Sequence, residues 1–412
     1  MNSTSEPDLR RARCLSHPAN FSRKFTHGDG ACLVSSSGER FLDFNQASGT
    51  AILGHGVFES NLVQSQTLLL NGGCAQIELL EKSIKDLYSW IHSFILCSSG
   101  SEAVLRAIRV SRALTSKDKI AIIGGSWHGG NDQTLVRLNT IDNGTQNVIS
   151  MTKGLPRSVL SSTYIVPRNN VESVRSLRDK GDIAAILVET IQGSFPCEYN
   201  PEFITELNKL KDFGIILIAD EIITGIRCRE FIYSKQSTIL SPDIYLLGKA
   251  LAGGAPIGLV AINEESPIAA NIESNISDIF LGGTFSGNPF SVSMLLSMVS
   301  QRHLISDERE RMISLSADLR NEVNNTFNHF SLPFRMVGFE TINRIISWDD
   351  KIYDKMTRDK FEDSVFLETL RASFLASRIF YSNNGLIFIS GSHYKEHIDC
   401  FVKCLKGHLE TI

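Results

Sequence analysis

The chain has 412 residues, 42% hydrophobic and 21% charged, which is enough apolar content for a large core and excludes an intrinsically disordered chain. At roughly 150 residues per domain, this length predicts two or three domains. A net charge of −4, from 41 basic and 45 acidic residues, offers no basic field for nucleic acid, and no apolar run approaches the ~18 residues of a membrane span.

Residues 1–13 are polar, carry Glu6 and Asp8, and lack the apolar stretch of a signal peptide. Residues 31–34 and 39–44 alternate around the turn Ser37-Gly38 and predict a hairpin. Leu80, Ile84, Leu87 and Ile91 then fall on one helical stripe. Apolar runs without polar alternation follow at 94–97, 120–123, 184–188, 215–219, 244–247 and 257–262. Runs of that kind are buried on both faces and mark a central, mostly parallel sheet. Val104, Ala107, Ile108, Ser111 and Leu114 make a helical stripe after the first run. Residues 201–213 have Pro201 at a first helical position, Ile204, Leu207 and Leu210 on one face, and Gly214 as a stop. Strand alternating with helix predicts an α/β fold with helices on both faces of the sheet.

Beyond about residue 300 two amphipathic helices are expected. One carries Met312, Leu315, Leu319, Val323 and Phe327; the other carries Ile398, Phe401, Val402, Leu405 and Leu409. A strand-like pair, 378–381 and 386–389, surrounds the turn Asn383-Asn384-Gly385. The simplest organisation is a large ligand-binding domain of residues 76–300, with 1–75 and 301–412 joined into a smaller α+β domain. The eight cysteines are irregularly spaced. Cys400 and Cys404 lie one helical turn apart, but no second pair completes a zinc site. Reduced thiols, a cytoplasmic location and no metal are the expectation.

Lys249 is the most informative residue. It stands between the run 244–247 and the small-residue stretch 250–256, where little side-chain company can solvate an ammonium. Burial there lowers a lysine pKa, and the neutral amine is the form that attacks an aldehyde to give a Schiff base. A snorkelling lysine at a strand end is the alternative. Asp220 tilts the balance: an acid ending a buried strand, paired with a lysine one crossover later, is what a pyridine electron sink requires. Ser98-Ser99-Gly100-Ser101-Glu102-Ala103 follows the run 94–97 and opens a helix, whose N-terminal N–H groups suit a phosphate. A plain serine N-cap explains the hexapeptide alone, but strand carboxyl ends are where α/β sheets place ligands. Trp127 and His128 follow the run 120–123 at the same edge; they read either as a ring-stacking indole with its neighbour or as core and turn residues. Ile222 or Ile223 is placed to press on the other face of a flat ring. The loop Gly282-Gly283-Thr284-Phe285-Ser286-Gly287-Asn288-Pro289 offers hydroxyls to a second phosphate oxygen, or is a surface loop.

Taken in order, these pieces resemble the class III pyridoxal-phosphate aminotransferases, most closely the glutamate-1-semialdehyde 2,1-aminomutase branch. The matching blocks are Cys97-Ser98-Ser99-Gly100-Ser101-Glu102-Ala103, Ser126-Trp127-His128-Gly129, Val188-Glu189-Thr190-Ile191-Gln192-Gly193, Ala219-Asp220-Glu221-Ile222-Ile223-Thr224-Gly225, Leu247-Gly248-Lys249-Ala250-Leu251-Ala252-Gly253-Gly254 and Gly283-Thr284-Phe285-Ser286-Gly287-Asn288-Pro289. The resemblance covers residues 28–300 well and the C-terminal third loosely. It implies a fold type I transferase, a pyridoxal 5'-phosphate cofactor and a homodimer with shared active sites. It further implies that Lys249 forms the Schiff base and Asp220 pairs with the pyridinium nitrogen. Trp127, beside His128, takes the place of the family's stacking aromatic. Ser99, Gly100 and Ser101 hold the phosphate, and Thr284 reaches it from the partner subunit.

The chain departs from the pattern in four places, one of them the C-terminal segment around Tyr381 to Ser390, which lacks an obvious arginine clamp. Ser98 stands where the family often has Asn, and Thr190 replaces the usual proline of Val-Glu-Pro, which predicts a reshaped loop. The aminomutase Pro-Val-Arg element reads Pro18-Ala19-Asn20-Phe21-Ser22-Arg23, leaving Arg23 as a poor match for a carboxylate partner. The cofactor chemistry therefore carries over better than the substrate. The implied reaction moves an amino group from an amino donor to a carbonyl acceptor, a biosynthetic aldehyde or ketone, with Lys249 as the proton carrier. An intramolecular 2,1-aminomutase uses the same residues. A cofactor-binding protein without turnover needs neither Lys249 nor Asp220.

Overall fold

The computed structural model describes residues 24–57, 75–140, 146–228, 240–348, 352, 354–382 and 384–411. Arg23, Cys14, Cys74 and Asn383 lie outside the described residues. The strands in chain order are β1 Phe25–Asp29, β2 Cys32–Ser35, β3 Arg40–Asp43, β4 Ile91–Cys97, β5 Lys119–Ile123, β6 Val136–Thr140, β7 Gln146–Ser150 and β8 Thr163–Val166. They continue with β9 Ile183–Glu189, β10 Ile216–Asp220, β11 Ile244–Gly248, β12 Gly258–Asn263, β13 Phe334–Phe339, β14 Ile342–Ser347, β15 Ile379–Phe380 and β16 Leu386–Phe388.

All the predicted apolar runs meet in one seven-stranded sheet, ordered β4-β12-β11-β10-β9-β5-β8. β9 and β10 are buried at every position, as runs covered on both faces must be. Side chains alternate between two layers. Ala185, Leu187, Ile216 and Ile218 pack toward Val104, Ala107 and Ile108 of the helix Gly100–Thr115. Ile186, Val188, Leu217 and Ala219 pack toward Phe203, Ile204 and Leu207 of the helix Pro201–Asn208. That helix tightens into a 3-10 turn, Lys209–Phe213, and stops at Gly214, which has φ +65°. The predicted segment 201–213 is therefore helical throughout but changes pitch.

Only β12 runs against its neighbours; its pairings with β11 and β4 are both antiparallel. A parallel return needs a crossover of a dozen or more residues, and residues 249–257 are too short for one. The consequence is functional. The carboxyl ends of β4, β5, β9, β10 and β11 share one edge with the start of β12, where Gly258 pairs with Cys97 and Gly248.

Three expectations change. Ile91 begins β4 rather than ending the helix Ala75–Leu87. β8, missed in the sequence, is an edge strand whose Tyr164 and Ile165 are only half-buried, so its apolar signal is weak. The pair 378–381 and 386–389 is not a hairpin. β15 joins β3 in parallel, whereas β16 joins β14 antiparallel in a separate sheet. Phe44 lies between them: its N–H donates to Phe380 O at 2.8 Å and its carbonyl accepts Phe388 N–H at 2.7 Å. β15 thereby ties the C-terminal segment to the hairpin β2–β3, which forms as expected. The helices Arg302–His329 and Lys395–Leu409 bury every apolar residue named for them, from Met312 to Leu409. No helix among the described residues is long and apolar enough to cross a membrane.

Candidate active site

Where the strand ends converge, a cavity of about 330 Å³ is lined by Ser99, Gly100, Ser101, Trp127, Glu189, Asp220, Ile222 and Lys249, among others. Cofactor and small-molecule sites span roughly 300–1,000 Å³.

The anion cradle is built first. Ser99 is extended (φ −160°, ψ 162°) and its side chain accepts the Glu102 N–H at 3.1 Å, capping the helix Gly100–Thr115. The first N–H groups of a helix have no carbonyl partner within it and carry the positive end of its dipole. Glu102 turns back to accept the Ser98 N–H at 2.6 Å and pairs with the buried Arg106. Arg106 also donates to Leu96 O at 2.6 Å, and to Gly282 O and Ser286 Oγ at 2.8 Å. One guanidinium thus fixes the cradle helix to the loop 282–286. β12 passes so close that a Cβ at Gly258 would sit 2.2 Å from Ser99 O. Gly129 (φ +78°) allows the same approach beside Ser101, where a Cβ would lie 2.2 Å from the hydroxyl oxygen.

The acid wall lies opposite in chemistry. Asp220 is buried; Ile222 N–H donates to its Oδ1 at 3.1 Å and His128 Nδ1–H donates to its Oδ2 at 2.7 Å. An acceptor-only carboxylate fixes that imidazole tautomer. Glu189 is buried beside it and accepts the N–H of Gly193 at 2.9 Å and of Trp127 at 3.0 Å. Burial, and then the Asp220 charge, push the Glu189 carboxyl up to about 7. Lys249 follows β11 directly and adopts φ +46°, a left-handed conformation unusual for a residue with a Cβ. It is half-buried. Burial lowers its pKa, with Asp220 and Glu189 pulling the other way.

The structure brings Ser99, Gly100, Ser101, Trp127, Asp220, Ile222 and Lys249 to one cavity. Trp127 stays 54% exposed, so its indole forms wall rather than core. His128 does not line the cavity; it is buried and acts on it through Asp220. Thr284 lies apart, exposed on the loop that Arg106 anchors. Two lining residues escaped the sequence reading. Glu189 was legible as an acid ending a fully buried strand. Thr50 was not: it follows Gln46, Ala47 and Ser48, all with φ between +48° and +58°, and the buried Arg227 holds that turn through Gly49 O at 2.6 Å. Thr190 explains its own departure from proline. Its N–H donates to Asp220 O at 3.4 Å and its hydroxyl meets that of Thr224 at 3.0 Å, neither of which proline offers.

The family described as aminotransferase class-III matches this chain over residues 16–331. The chain belongs to the class-III aminotransferases. A glutamate-1-semialdehyde 2,1-aminomutase of Methanothermobacter thermautotrophicus is 30% identical, covering 94% of this chain and 92% of its own. The same-named protein of Campylobacter hominis is 28% identical over 82% and 78%. Among solved structures, an omega-transaminase from Sphaerobacter thermophilus superposes with a TM-score of 0.85 at 22% identity, covering 97% and 93% of the two chains. A glutamate-1-semialdehyde aminomutase from Pseudomonas aeruginosa gives 0.84 at 18%, over 94% and 87%. These structural likenesses establish fold type I.

A class-III aminotransferase is a pyridoxal-phosphate enzyme, and the site fits that group on its own geometry. A capped helix N-terminus with hydroxyls answers a phosphate, a half-buried amine answers an aldehyde, and a buried carboxylate held by two donors answers a protonated ring nitrogen.

Proposed function

We propose that this aminotransferase holds pyridoxal 5'-phosphate through Lys249 and moves an amino group from an amino donor to a biosynthetic aldehyde or ketone. The observation that carries the reading is the convergence of Lys249, Asp220 and the Ser99–Ser101 cradle on one cavity. When bound, the cofactor supplies an electron sink for the bond-breaking step. Ser99, Gly100 and Ser101 bind its phosphate against the helix dipole. Asp220, oriented by His128, holds a proton on the ring nitrogen. Trp127 covers one side of the ring, and Ile222 supplies an apolar contact. Lys249 Nζ, kept toward its neutral form by burial, accepts the α-proton of the amino donor and later returns it.

We further propose a homodimer in which Thr284 completes the neighbouring phosphate site, supported by its exposure away from its own cavity. Residues 76–300 would form the cofactor domain, with 1–75 and 301–412 beside it. Cys32, Cys97, Cys197, Cys228, Cys400 and Cys404 are free thiols, which supports a reducing, cytoplasmic setting. The second reading, intramolecular amino transfer, rests on the aminomutase relatives. Against it, no arginine lines the cavity among the described residues.

Borohydride reduction of the loaded enzyme tests the core assignment. The expected result is a cofactor adduct on the peptide containing Lys249, and conversion to pyridoxamine phosphate by a panel of amino donors. Label on another lysine, with Lys249→Ala still turning over, would end the assignment.

A further inference from the structure

A second, smaller cavity of about 140 Å³ opens where β14, the helix Ser364–Ala376 and the Asn384-Gly385 turn meet; Arg344, Arg371, Tyr381, Asn384, Glu362 and Glu368 are among the residues that line it. We propose that this cavity binds one small oxyanion, a phosphate or a carboxylate group, held between the guanidinium groups of Arg344 and Arg371.

Both arginines are half-buried, and among the described residues neither has a carboxylate within ion-pair distance. Two of the lining residues, Glu362 and Glu368, are acids. Asp359 and Glu362 go to Arg358, at 2.5 and 3.5 Å, and Glu362 and Glu368 are exposed. Among the described residues Arg344 makes one long hydrogen bond, to Gly193 O at 3.3 Å. A guanidinium presents five donors in a rigid fork, so most of this one is left for a ligand. Burial, and next the repulsion of Arg358, bring the Arg344 pKa down to about 9; Glu362 and Asp359 pull the other way, and Arg371 adds to the repulsion. Desolvated cations crowded together favour an anion that can accept two forks at once, and oxyanions do this better than halides. The cavity lies below the ~300 Å³ at which small-molecule pockets begin, so it suits a single oxyanion group and not a nucleotide.

The cavity is one peptide away from the catalytic wall. Arg344 donates to Gly193 O, Gly193 N–H donates to Glu189, and Trp127 N–H donates to the other Glu189 oxygen. It is nevertheless separate from the Ser99–Ser101 cradle, and its existence does not depend on which carbonyl the enzyme accepts.

The test is calorimetric titration of the holoenzyme, its cofactor cradle filled, with inorganic phosphate and separately with succinate at constant ionic strength. The expected result is saturable binding of one anion per chain, weakened at least ~10-fold in Arg344→Gln and in Arg371→Gln. Arg335→Gln, which removes an arginine stacked on Trp348, should bind as wild type. Phosphate alone binding, or succinate alone, supports the site and names its source. Arg344→Gln also cuts a bond to Gly193, so Arg371→Gln decides if that variant misfolds. No saturable heat with either anion, or undiminished binding in folded Arg371→Gln, overturns the proposal.

Discussion

His128 does not line the catalytic cavity, yet its removal should impair the enzyme. Its Nδ1–H donates to Asp220 at 2.7 Å, with both side chains buried. A hydrogen bond to a charged acceptor contributes ~1.5–3 kcal/mol. If that is lost where ring charge is stabilised in the transition state, at ~1.36 kcal/mol per decade the rate falls roughly ten- to 150-fold. The loss is not total, because Ile222 N–H still holds the other carboxylate oxygen at 3.1 Å. His128→Phe keeps an aromatic of similar size and removes the donor; His128→Asn keeps an N–H near the Nδ1 position. Single-turnover conversion of the saturated holoenzyme by an amino donor reads the effect, and melting temperature checks the fold. The expected order is wild type, His128→Asn, then His128→Phe. A His128→Phe rate within about twofold of wild type would refute the argument. Equal loss in both variants would assign the effect to packing rather than to the hydrogen bond.

Gly258→Ala places a Cβ 2.2 Å from Ser99 O; this overpacking should cost at least ~1–3 kcal/mol and weaken cofactor retention, read by thermal denaturation and by dialysis. Unchanged retention would mean that the cradle backbone yields freely. Glu221 is buried against Thr224, and burial raises its carboxyl from 4.5 to about 7. A raised acid stabilises the fold while protonated, so that stability is complete below pH 4.5 and lost as pH rises through about 7. Glu221→Gln should therefore flatten the decline in melting temperature between pH 5 and 8 by several degrees, and an unchanged slope would count against it. Mixing impaired Lys249→Ala and Thr284→Ala chains should restore activity, to about a quarter of wild type for random pairing, if a symmetric dimer shares its sites. No recovery in proven hybrids, or a fully active monomer in sedimentation, would exclude sharing.

The sequence by itself determined the central sheet and pointed to most of the residues that line the candidate site. Uninterrupted apolar runs such as residues 215–219 report burial on both faces without knowledge of their neighbours. Ser99, Asp220 and Lys249 could be read as ligands because a strand's carboxyl end is a place in the chain as well as in space. What needed the tertiary structure was everything set by a partner distant in sequence. Whether 378–381 pairs with 386–389 depends on Phe44 standing between them. His128 became a support for Asp220 only once β5 and β10 brought two side chains 92 positions apart in sequence to within 2.7 Å. Thr50 entered the cavity because a left-handed turn is held by Arg227, a contact spanning 178 positions. Local patterns encode which faces must be buried, since the hydrophobic effect acts on each segment. Hydrogen bonds and close backbone approaches are directional and pairwise, so they are decided only when the chain has folded.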